Sequence, residues 1–186
     1  MEADWEIEIG GDAPVIDAHW SGLVDLRTEP ERTRQLSETH QLPGLAEALI
    51  RLNARNSPVW TSKCDVFVPD HFDPDELDAP IGDALLARVC YVDLLSREEE
   101  RWDSVDAVAS ACRGICDRLR SIPVRACRTD LVIRRAILVS GVETCGVTAY
   151  ITAAGRDERS AAITLAAALA AFADATVAGA AAERVS

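Results

Sequence analysis

Between Leu85 and Leu95 the chain is apolar at almost every position, on both parities, with Arg88 and Asp93 the only charges. A run of that length and kind reads as a strand buried on two faces, which places it inside a sheet. The rest of the fold has to be arranged around it.

Other segments alternate as half-buried strands do. From Val15 to Arg27, Ile16, Ala18, Trp20, Val24 and Leu26 share one parity and Asp17, His19, Ser21, Asp25 and Arg27 the other. From Val59 to Val68, Trp60, Cys64, Val66 and Val68 oppose Thr61, Lys63 and Asp65. Two further strands, Val124 to Val139 and Cys145 to Ala154, are joined by Ser140-Gly141-Val142-Glu143, a hairpin turn. Within the arm 1–14, Trp5, Ile7 and Ile9 against Glu6 and Glu8 suggest an extra edge strand.

Helices fill the gaps. Pro43 suits a first helical turn, and Leu45, Leu49 and Leu52 form one face up to Asn56-Ser57-Pro58. Asp103 or Ser104 caps a second helix with a stripe of Val105, Val108, Ala109, Cys112, Cys116 and Leu119, ending before Pro123. A third runs from Asp157 to Ala182, alanine-rich, anchored by Ile163, Leu165, Leu169 and Phe172.

The order from Val15 is β-α-β-β-α-β-β-α, and its first six elements match the ferredoxin-like split β-α-β order. The expected fold is a single α+β domain over residues 1–186, an antiparallel sheet backed on one face by helices, with an added carboxy-terminal strand and helix. A long acidic loop, 69–84, interrupts it. At this length one core suffices, without a metal or disulfide scaffold.

The formal charge of −12 argues against nucleic-acid binding, which depends on neutralising phosphates. Residues 61–106 carry 13 acids and 4 bases, whereas 107–140 carry 7 arginines and 2 acids, a basic island that could bind a small anion but is expected to pair with the acidic segment. The alanine-rich tail, with Asp174 inside it, is too weakly hydrophobic to span a membrane, and Met1-Glu2-Ala3-Asp4 is acidic where a secretory signal is basic. The expected location is the cytoplasm. Eighteen arginines against one lysine fit a GC-rich bacterial genome.

The polar strand parities converge on one expected sheet face: Asp17, His19 and Ser21; Thr61, Lys63 and Asp65; Arg128, Asp130 and Arg134; Thr148, Tyr150 and Thr152. His19 there is a candidate proton shuttle oriented by Asp17 or Asp65, with Tyr150 a third catalytic candidate. Lys63, Arg128 and Arg134, with Asp65 and Asp130 beside them, would hold a small anionic ligand. Against this stands the ordinary behaviour of antiparallel sheets, which wet one face and pair charges across it without any ligand.

Asp70, Asp73 and Asp75 in the acidic loop offer hard oxygen ligands for a divalent metal, with the imidazole of His71 beside them, but no EF-hand spacing, and a run of acids is more often a solvated surface. Six cysteines contain no C-x-x-C pair and fall on apolar parities, where a free thiol packs as a small hydrophobe. Trp20 and Trp60 have core parity, while Trp5 and Trp102 sit near element ends. There is no nucleophile elbow, Walker A loop, dinucleotide fingerprint or zincin motif. The leading expectation is therefore a partner- or ligand-binding module, a homodimer with no cofactor. The alternatives are a small enzyme using His19 on an anionic substrate, and a metal-binding protein through residues 70–78.

Overall fold

Six strands hydrogen-bond into one mixed sheet in the computed structural model, which describes residues 1–11, 13–42, 44–79 and 85–183. The strands are β1 (Glu2–Glu8), β2 (Ile16–Asp17), β3 (Val59–Phe67), β4 (Leu86–Ser96), β5 (Cys127–Ile137) and β6 (Glu143–Gly155). Their order is β1-β5-β6-β4-β3, and β2 continues the edge of β5 beyond β1. β1 and β2 run parallel to β5; the remaining pairs are antiparallel.

The doubly apolar run is β4, paired on both sides. Cys90, Val92 and Leu94 join the main core, while Val89 and Leu95 are buried on the opposite face. A helical layer covers the first of these faces. The long α4 (Glu158–Glu183) lies against β6 and β4, between the amphipathic α2 (Leu45–Asn53) and α3 (Val105–Arg120), and is itself apolar on nearly all sides. Leu165, Leu169 and Phe172 are fully buried, and Ala161, Ala168 and Ala173 beside them allow close approach; Ile163, expected as an anchor, is 61% exposed. By length and composition Glu158–Ala178 could cross a membrane, contrary to the weak hydrophobicity read from its alanines, but half of it is buried against the rest of the protein.

The ferredoxin-like reading meets a different sheet order. β4 and β5 run parallel, α3 connects them and β6 lies between, which is one split β-α-β unit. The amino-terminal strand, which that reading needs inside the sheet, is at its edge instead.

Its expected position, Val15 to Arg27, keeps only Ile16–Asp17 as strand. Short polar side chains there satisfy the backbone locally, competing with a ladder. The Asp17 carboxylate accepts the His19 amide at 2.6 Å, and the Asp25 carboxylate accepts both the Arg27 amide and its guanidinium. Residues 18–36 consequently form a strap. It passes over one end of the sheet, where Ile16, Ala18 and Leu23 pack on Trp60, Leu95, Ala136 and Leu138, and then reaches the helical side at buried Leu26. The short α1 (Ser37–Gln41) follows, in a stretch whose sequence carries no clear pattern. Gly44, at φ +94°, precedes α2, and an added Cβ there would sit 3.1 Å from that of Ala166. Pro43, the expected first-turn residue, lies outside the described residues, as do position 12 of the amino-terminal arm and 80–84 of the acidic loop.

Candidate functional site

The sheet face away from the helices is open between two covered ends. The strap covers one. At the other, Leu77, Ala79 and Phe72 of the acidic loop pack against Ala154 and Ala126. Register aligns the middle of this face into rows, since residues directly opposite each other share a face, and Asp93, Thr148 and Val132 within it are buried. One row is Lys63, Asp93, Thr148, Val132 and Glu6; the next is Asp65, Tyr91, Tyr150, Asp130 and Asp4.

The charges on this face are mostly matched. Arg134 donates to Glu8 at 2.6 and 3.1 Å and to the Tyr150 hydroxyl at 3.3 Å, and Arg128 donates to Asp130 at 2.7 Å. Asp93 is only 7% exposed and accepts the Thr148 hydroxyl at 2.6 Å. Burial pushes its carboxyl above the usual range, against the Thr148 hydrogen bond and the charges of Lys63 and Arg134. Among the described residues the basic island finds its ion-pair partners in Asp4, Glu8, Asp117, Asp130 and Glu143, rather than in the acidic segment 61–106 expected from sequence.

Where the strap crosses the edge of β3, it leaves a cleft of about 230 Å³. Its floor is apolar: Val24, Leu26, Leu36 and Leu49. Trp20 and Tyr91 supply aromatic walls, and Ser62, Lys63, Asp65 and Glu38 supply polar groups. A β-bulge between Thr61 and Lys63 shapes the wall. Before the bulge, Thr61 is buried and its amide donates to Asn53 Oδ1 at 3.0 Å; after it, Lys63 and Asp65 are exposed on the open face. The expected grouping of Thr61 with Lys63 and Asp65 is broken by this one extra residue.

Ser62 occupies the bulge. Its carbonyl accepts the Trp20 indole N–H at 3.2 Å, which pins the strap to the strand edge. Its hydroxyl is buried, in a residue 5% exposed, and has no hydrogen-bond partner among the described residues. A buried polar group left unmatched is costly. The Lys63 ammonium stands 5.8 Å from the Trp20 ring centroid, within cation–π range. Cys64 is the one partly exposed cysteine; the other five are buried and all six are free. Burial first, then the charges of Glu38, Asp65 and Asp93, push the Cys64 thiol up to about 12. Burial and the same two aspartates push the Tyr91 phenol up to about 12 as well.

The residues singled out from sequence divide accordingly. Lys63, Asp65, Arg128, Asp130, Arg134 and Tyr150 share the open face. Asp17 and His19 do not join them: both are exposed, and His19 and Ser21 lie in turns of the strap. In the acidic loop, Asp73 accepts the Asp75 amide at 2.9 Å and opens a single 3-10 turn, Asp75–Leu77. Among the described residues no cluster of three potential ligands is placed to hold a metal. Trp20 is 39% exposed rather than core, and Trp102 is buried at 3% rather than peripheral.

Sequence reasoning missed Asp93, Tyr91, Ser62 and Glu38. Asp93 did carry a signal, as an acid inside a strand otherwise apolar on both parities. No protein-family model, curated protein or solved structure matches the chain.

Proposed function

We propose that the protein is a ligand-binding module whose site is the cleft between the strap and the edge of β3. The observation that carries this reading is the cleft itself, whose lining sets four aliphatic side chains and the rings of Trp20 and Tyr91 beside Lys63, Asp65 and Glu38. Binding sites for small molecules characteristically combine an apolar lining with a few fixed polar groups. At about 230 Å³ the cleft has room for a head group and a short apolar body. Each methylene buried on the Val24, Leu26, Leu36 and Leu49 floor would contribute about 0.8 kcal/mol.

A catalytic reading finds less support. His19, the natural proton shuttle, is exposed on the strap outside the cleft lining. Arg128 and Arg134, its expected anion ligands, are engaged by Asp130 and Glu8. The split β-α-β unit supports a ferredoxin-like relationship for part of the sheet, but the site does not depend on it.

The test is a fragment screen by amide and methyl chemical-shift mapping on isotope-labelled protein. Binders should shift Val24, Leu36, Leu49, Ser62 and Cys64 together. Shifts gathered instead around His19, or around Arg128 and Asp130, would move the site elsewhere. A screen in which no fragment perturbs the cleft would remove this reading.

A further inference from the structure

We propose that the cleft selects a small organic cation, an ammonium or guanidinium head carried on a short apolar body. This rests on the cleft being the binding site, and adds the charge of what enters it. The sequence alone suggested the opposite, with Lys63 read beside Arg128 and Arg134 as an anion ligand. The placement of charges reverses that reading. Lys63 faces Asp93 directly across the strands, without an ion pair between them, so at the cleft its single positive charge stands against the carboxylates of Asp93, Glu38 and Asp65. Glu38 and Asp65 also line the cleft, and neither forms an ion pair among the described residues. Asp65 accepts only the Val66 amide, at 2.7 Å.

Two groups inside the cleft register the resulting field. The thiol of Cys64 and the phenol of Tyr91 both resist ionisation, through burial and then through neighbouring carboxylates. An entering anion would meet the same carboxylates. An entering cation would be drawn to them and to the faces of Trp20 and Tyr91, where an ammonium is favoured over an aromatic ring. Lys63 already shows that Trp20 accepts a cation nearby. The four aliphatic side chains of the floor then take the apolar body.

Hexylammonium and hexanoate share the same alkyl chain and differ in the sign of the head, so the pair isolates the charge. Each is titrated by chemical-shift mapping at low salt into the wild type, Lys63→Gln and the double variant Glu38→Gln/Asp65→Asn, after melting curves confirm that each variant is folded. Hexylammonium should bind in the cleft at least about tenfold more tightly than hexanoate. Lys63→Gln should tighten hexylammonium by about threefold, the effect of removing a like charge roughly 6 Å away in a water-like dielectric. The double variant should weaken it by at least that factor, and so should raising the salt.

Preferential binding of hexanoate, lost in Lys63→Gln, would overturn the charge assignment and leave the cleft as the site. Hexylammonium binding that ignores the double variant would also overturn it. If neither probe perturbs the cleft at millimolar concentration, the cleft reading itself fails.

Discussion

Asn53→Ala should destabilise the protein well beyond what an ordinary surface substitution does, because Asn53 closes the edge of β3 at the bulge. The side chain is 5% exposed, and three hydrogen bonds meet on it. Its Nδ2 donates to the Leu49 carbonyl at 2.8 Å and to the Thr61 hydroxyl at 2.7 Å, and its Oδ1 accepts the Thr61 amide at 3.0 Å. Alanine removes all three. The Thr61 amide is then left buried and unpaired, which costs about 1–3 kcal/mol, and the other lost bonds add about 1 kcal/mol. The expected loss is about 2–4 kcal/mol, or roughly 4–16 °C in Tm for a chain of this size. Urea unfolding should show a lower midpoint with an unchanged slope. A second substitution, Thr61→Val, separates the side-chain bond from the backbone one. The double-mutant cycle should give a coupling of about 0.5–1.5 kcal/mol for Nδ2 with the hydroxyl. A loss under about 0.5 kcal/mol in Asn53→Ala would refute the reasoning, since it would mean that water reaches the Thr61 amide freely.

Asp93→Asn keeps an acceptor for Thr148 and removes a charge that burial disfavours. Because the folded pKa is raised, wild-type stability falls as pH rises from the ordinary aspartate value, about 3.9, through the folded one, and is level above it. The variant should therefore be more stable than wild type at pH 7, with the gap closing towards pH 4; a less stable variant at pH 7 would show that Lys63 and Arg134 outweigh burial. The native protein should react slowly with a thiol reagent at pH 8 and only at Cys64, whose thiol sits near 12, while all six cysteines react once guanidinium unfolds it. Fast labelling of two or more native thiols would contradict the burial of the other five.

Where tertiary packing follows sequence period, the fold was legible. β3, β4, β5, β6, α3 and α4 lie where alternation, the doubly apolar run and the helical stripes place them, and Ser104 caps α3 as its side chain suggests, accepting the Ala107 amide. The segment 15–27 shows the limit. Its alternation matches a strand as well as Val59 to Val68 does, yet β3 pairs along its length and the strap does not. The difference lies in Asp17 and Asp25, whose side chains bond amides two residues on and so offer the backbone an alternative to pairing. Period alone does not weigh that competition.

The candidate site was half legible for a related reason. Parity correctly brought Lys63, Asp65, Arg128, Asp130, Arg134 and Tyr150 to one face, because β5 and β6 pair without interruption and β3 regains register after its bulge. It could not say which of those charges are spent within the protein. Arg128 and Arg134 are held by Asp130 and Glu8, the latter on an edge strand 126 residues away in sequence. Lys63 faces Asp93, one of two charges on a strand otherwise apolar on both parities. Glu38 and Asp65, neither in an ion pair among the described residues, reach the cleft from different elements and only because the strap turns the edge of β3. The sign of a binding site is a property of the charges left over after folding. Here the cations are largely answered from within, and what remains at the cleft is negative.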